Sequence, residues 1–184
     1  MLHEKSPRAI FMVWAIVVVL LSPLFILFLP LVITQTLFYD PEQIVVLAPS
    51  KNHGLITWSF GILFTILVML ALKRNKWTYA MTGVLTLASV ATLALSTLSY
   101  VAIHPEHITI QDYTEKRHYN MNEFTKVIYE YGTSERGRYQ FITKTGEAVY
   151  IEDSPQLEFE KRSKIYRTAL AHDLEFVERP YEGE

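Results

Sequence analysis

Apolar residues fall into three long runs within the first hundred positions and into short alternating runs after them. Ala9–Tyr39 carries no charged residue over 31 positions, Leu55–Leu72 is a run of 18, and Trp77–Ile103 is uncharged over 27. The hydrocarbon core of a bilayer is about 30 Å thick and takes roughly 20 helical residues to cross. The pattern therefore predicts membrane spans at about 9–38, 55–72 and 77–101. Trp77, Tyr79 and Tyr100 stand at the ends of the third run, where an apolar ring with a polar edge suits the headgroup zone. Three such runs argue against buried helices of a soluble protein.

The first run admits two further readings. Lys5 and Arg8 precede it, as in a signal peptide. A signal core is about 7–15 residues long and ends at small residues. This run instead continues through Pro23 and Pro30 to Phe38 without an Ala-x-Ala-type site, which predicts an uncleaved anchor. The two prolines could interrupt the helix beside a binding site, but a kink tolerated within a bundle is the ordinary outcome.

Charge sets the orientation. Between Ala9 and Ile103 the charged residues are Asp40, Glu42, Lys51, Lys73, Arg74 and Lys76, all between the predicted spans. Lys5, Arg8, Lys73, Arg74 and Lys76 fall on one side and Lys51 on the other. The positive-inside rule then places the N-terminus in the cytoplasm of a cell-membrane protein and the C-terminal part outside. Lys116 and Arg117 pull weakly the other way. Because the predicted spans lack Asp, Glu, Lys, Arg and His, a proton relay or an ion-coupled transporter built from one copy is disfavoured. In the third span Thr82, Thr86, Ser89, Thr92, Ser96 and Ser99 recur every three or four residues as a small polar stripe. Such a stripe lets helices approach closely, either the other spans or a second chain.

After Ile103 the period changes to two. Strands are predicted at His107–Gln111, Arg117–Met121, Lys126–Tyr131, Arg138–Lys144 and Ala148–Ile151, with turns at Gly132–Gly137 and Lys144–Glu147. Close spacing implies an antiparallel meander. Asp153-Ser154-Pro155 reads as a helix start, and Phe159, Tyr166, Leu170 and Leu174 share a helical face that can cover the sheet. Arg179–Glu184 reads as a loose polar end. The expected fold is a three-helix transmembrane domain over 1–103, then a small α+β domain over 104–184.

Three segments carry a resemblance: YVAIHPEHITI (Tyr100–Ile110), RHYNMNEFTKVIY (Arg117–Tyr129) and FITKTGEAVYI (Phe141–Ile151). Together they resemble bacterial PH-like domains attached to membrane spans, as in small uncharacterised Gram-positive bacterial membrane proteins. Asn122, Glu123 and Phe124 occupy the positions of the family's Pro/Trp–acidic–hydrophobic element, without its Pro-Trp. The resemblance implies an antiparallel PH-like sheet capped by a C-terminal helix. Five predicted strands are fewer than the seven of a full PH barrel.

Candidate chemistry is sparse. The chain has no Cys, which excludes disulfides, Cys-based zinc sites and a thiol nucleophile. His104, Glu106 and His107 form an incomplete ligand set that reads better as a polar elbow, and His118 and His172 stand singly. Lys116, Arg117 and His118 could contact a lipid headgroup, although Asp112 and Glu115 lie beside them. Arg136, Arg138 and the run Glu158–Arg167 read as solvated faces. Phosphate loops, nucleophile elbows and HExxH helices are missing from the sequence. From His104 onward there are 11 Lys and Arg against 16 Asp and Glu, too acidic for a nucleic-acid surface. The expectation is a non-enzymatic membrane protein without cofactor, whose PH-like domain meets a protein partner or a second copy. Headgroup binding and a small transport or channel subunit are the alternatives.

Overall fold

The computed structural model describes residues 6–132, 137–154 and 156–180. Lys5 of the orientation signal, the centre of the Gly132–Gly137 turn with Arg136, Pro155, and 181–184 of the polar end lie outside them. The chain forms two compact units, one of residues 1–33 and 50–99, the other of 34–49 and 100–184.

The first unit is built on α1 (Pro7–Leu37), α2 (Ser50–Leu72) and α3 (Lys76–Leu95), each long and apolar enough to cross a membrane. At 20 residues, α3 measures about 30 Å, close to the minimum for a span. It stops short of the predicted end near 101. Apolarity alone carries the sequence on to Ile103, but Ser96 Oγ and Thr97 Oγ1 donate to the carbonyls of Leu93 and Ala94, and the chain leaves the helix there. At the other end Asn75 caps α3, its Oδ1 accepting from the Thr78 amide at 2.8 Å. The start of α2 also differs, because the helix begins at Ser50 and takes in Lys51, Asn52 and His53, which the hydropathy of the 55–72 run leaves out.

The second unit holds two four-stranded sheets. Sheet A runs β1 (Val45–Leu47), β2 (Tyr100–Ile103), β3 (His107–Asp112) and β4 (Glu115–Asn120), all antiparallel neighbours. A single 3-10 turn (Met121–Glu123) leads into sheet B: β5 (Phe124–Tyr131), β6 (Arg138–Thr143) and β7 (Ala148–Glu152). Then α4 (Phe159–Ala171) crosses over, and β8 (Glu175–Pro180) pairs with β5. The five strands predicted from alternation are present; β1, β2 and β8 are additions. Sheet B is not wholly antiparallel, because β8 runs parallel to β5, the direction a strand takes after a helical crossover. Arg179 and Pro180 belong to that strand rather than to a loose end. The β6–β7 turn turns on Gly146 at φ +86°, a region open to glycine, with its amide on the Thr143 carbonyl at 3.0 Å.

Both sheets and α4 share one core, in which Ile103, Ile108, Met121, Phe124, Phe141, Leu157 and Ile165 are almost wholly enclosed. The helix face differs from the predicted one. Ile165 and Ala169 point inward, while Phe159, Tyr166 and Leu170 are 85%, 46% and 50% exposed. Leu174 is buried but lies past the helix end. The end is a Schellman motif: the Leu174 amide bonds the Ala169 carbonyl at 2.9 Å, and the Asp173 amide bonds Leu170 at 3.1 Å. The start also moves, since the predicted cap Asp153 is engaged elsewhere and Glu158 occupies the N-cap without a side-chain bond.

Candidate functional site

In the first unit the carbonyls stranded by prolines find donors nearby, whereas Asn52 Oδ1 is buried without a hydrogen-bond partner. A proline cannot donate to the carbonyl four residues back, and an unsatisfied carbonyl in lipid costs several kcal/mol. Pro23 frees the Val19 carbonyl, which accepts from Ser22 Oγ at 3.1 Å. Pro30 frees the Ile26 carbonyl, and His53 Nδ1 lies 2.8 Å from it. Because a carbonyl only accepts, Nδ1 carries the hydrogen. Sequence reasoning missed His53 by reading it as loop; the carbonyl stranded by Pro30 was the available signal.

The polar stripe of α3 meets α2 at Ser89. Ser59 Oγ lies 2.9 Å from Ser89 Oγ; it donates to the Ser89 carbonyl at 2.9 Å, and Ser89 Oγ reaches the Ser59 carbonyl at 3.1 Å. Asn52 Nδ2 donates to the Ser99 carbonyl at 2.8 Å. Thr82, Thr86, Thr92 and Ser96 bond carbonyls of their own helix. Ser89 thus bonds the neighbouring span through its side chain and Ser99 through its carbonyl, and the others close their own backbone.

In the second unit Lys116, Arg117 and His118 do not form one patch. Strand alternation places Lys116 and His118 on one face of β4 and Arg117 on the other. Arg117 Nε donates to Glu115 Oε1 at 2.7 Å, so the guanidinium is already partnered by a carboxylate. His118 instead joins the elbow histidines. The β3–β4 register sets Thr109 opposite His118 and His107 opposite Asn120. The His104 and His107 rings stack at 4.3 Å and 15°, and His107 and His118 lie 4.4 Å apart. Among the described residues no set of His, Asp or Glu converges on a metal position. Stacked rings turn their nitrogens along parallel planes, away from a shared point. His172 bridges elsewhere, with Asn122 Oδ1 3.1 Å from Nδ1 and the Pro105 carbonyl 2.9 Å from Nε2.

Two carboxylates are held below the surface. Glu130 is buried between Arg138 and Arg179, with Arg179 Nε at 3.0 Å. Burial pushes its carboxyl up, but the two guanidiniums reverse this and hold it below its ordinary value. Arg138 is therefore an ion-pair partner as well as a surface residue. Asp153 Oδ2 accepts from Tyr129 Oη at 2.9 Å and from Arg162 Nη2 at 2.8 Å, which explains why it does not cap α4. Burial, then the Asp153 carboxylate, push the Tyr129 phenol above its ordinary value, so it stays a donor. Both groups brace sheet B, Glu130 against β8 and Asp153 against α4.

The outer surface of α4 carries an apolar feature. Phe159, Tyr166 and Leu170 are spaced by seven and four residues and so share one exposed face of α4, with Tyr166 edge-on to Phe176 of β8 at 5.0 Å. No family model matches the chain, and no curated protein is similar to it.

Proposed function

We propose that this chain is a non-enzymatic, multi-pass cell-membrane protein whose spans anchor a PH-like domain that contacts another protein. The observation that carries the reading is the Phe159/Tyr166/Leu170 face of α4. A contiguous apolar strip that the fold leaves outside its own core is how an interaction site presents itself. Lys164 is paired with Glu160 at 2.9 Å and Arg162 with Asp153 at 2.8 Å, so the matching surface is chiefly apolar. The PH-like part of the reading is supported by strand count. Among the described residues seven strands precede α4, against five visible in the sequence. The added β8 and the two membrane helices inserted between β1 and β2 are departures from the simple pattern.

The domain belongs on the extracytoplasmic side by the Lys and Arg balance of the connecting segments. With no native cysteine, Thr114→Cys in the exposed β3–β4 turn is a clean reporter. Labelling of intact cells by an impermeant maleimide is expected; labelling only after lysis reverses the orientation. For the contact itself, full-length protein and a Phe159→Ser/Leu170→Ser variant are captured from detergent extracts of crosslinked cells. A partner retained by the first and lost by the second is the expected result, and identical partner sets would sink the proposal.

A further inference from the structure

The imidazoles of His104, His107 and His118 come from three places in the chain: just past the end of β2, the start of β3 and the middle of β4. They meet because two antiparallel registers align them on one face of sheet A. All three are at least partly open to solvent, so protons reach them. Neutral imidazoles stack readily. Two imidazolium rings little more than 4 Å apart repel. The acids facing this set are Glu106 on the elbow and Asp40 on the segment before β1, and both favour the charged form of His107. Burial and the two neighbouring rings oppose them, and the balance holds the His107 ring below its ordinary value.

The elbow carrying the first two rings is fixed at several points. His104 N donates to the His107 carbonyl at 2.9 Å, and the Met121 amide to the Glu106 carbonyl at 2.8 Å. The Pro105 carbonyl faces His172, the residue that ends α4. A change in the stack is thereby passed to the 3-10 turn and to the C-terminal end of α4.

We infer that the His104–His107–His118 cluster is a proton-responsive clasp, closed at neutral pH and opened by acidification, which loosens the elbow it holds. Its ligand is the proton, and no other co-reactant is needed. The sign follows from His107. A ring held below its ordinary value binds fewer protons in the fold than in the unfolded chain. The stability it contributes is complete above the ordinary value of 6.5 and is lost as pH falls from there through the lower, folded value.

The test uses the full-length protein in detergent with its histidine rings labelled with 15N. Ring-nitrogen shifts are followed from neutral to acid pH, and exchange of the Met121 amide is measured alongside. His107 is expected to take up its proton below its ordinary value of 6.5, with Met121 protection falling over the same interval. In His118→Gln, a change at an exposed strand position, the His107 midpoint should move up towards that of an isolated histidine. His107→Phe retains an aromatic ring in the stack without a titrating nitrogen, and Met121 protection should then lose its acid-dependent decline. A His107 midpoint unmoved by His118→Gln overturns the clasp. So does an unchanged Met121 profile in His107→Phe.

Discussion

His53 Nδ1 sits 2.8 Å from the carbonyl oxygen of Ile26, the acceptor that Pro30 leaves without its helical donor. One span thus repairs the backbone defect of another, and the proline is tolerated because the histidine is there. This relationship predicts a rescue. His53→Ala should cost about 1 kcal/mol, the usual size of a hydrogen bond between spans. In a Pro30→Ala background, where the helix can supply its own amide, the same change should cost almost nothing. Unfolding of the four proteins in bicelles measures the coupling, and equal costs in both backgrounds would dismiss it.

Ser59 and Ser89 form a reciprocal clasp between α2 and α3. Ser59→Ala and Ser89→Ala should each cost about 0.6 kcal/mol, and the double variant little more than either single one. Ser89→Leu, which forces the helices apart, should cost more than the double alanine variant. Additive losses would mean that the two hydroxyls do not act as one unit.

Glu130→Gln should destabilise the sheet domain by about 2–3 kcal/mol, since two guanidiniums lose the buried carboxylate between them. The pH profile gives a second check. A carboxyl held below its ordinary value contributes stability that is full above that value and is lost as pH falls through the lower, folded one. Thermal unfolding followed through the acid range should therefore show a shallower decline in Glu130→Gln than in the parent.

Asp173 and Gly137 give opposite outcomes. Asp173 follows the C-cap of α4 at φ +56°, the position where a Schellman motif favours glycine. Asp173→Gly should raise stability by about 0.5–1 kcal/mol. A Cβ on Gly137 would stand 2.8 Å from Tyr129 Oη and 2.9 Å from the Glu130 carbonyl oxygen. Gly137→Ala should lower stability by about 1–3 kcal/mol, because the second contact is backbone and cannot swing away. Chemical denaturation of the purified variants decides both signs.

Much of the candidate surface was legible in outline and wrong in detail. Phe159, Tyr166 and Leu170 do share a helical face, as their spacing requires, yet Ile165 and Ala169 on the adjoining face take the core. Two neighbouring apolar stripes on one helix are equivalent until a sheet chooses between them. Likewise His104 and His107 lie three residues apart in sequence, but His118 joined them only through the pairing of Thr109 with His118.

By itself the sequence determined what depends on local composition and period. This covers three helices that must hide their backbone polar groups within themselves, and five strands whose alternation marks an inside and an outside. Tertiary structure decided what depends on partners distant along the chain. Uncharged Tyr100–Ile103 became a strand because β1 and β3 supplied its hydrogen bonds, and β8 ran parallel because a helix carried the chain back across the sheet. His53 became a donor because Pro30 had left a carbonyl bare. Period is written in the residues themselves, whereas a hydrogen-bond partner is chosen only once the chain has folded.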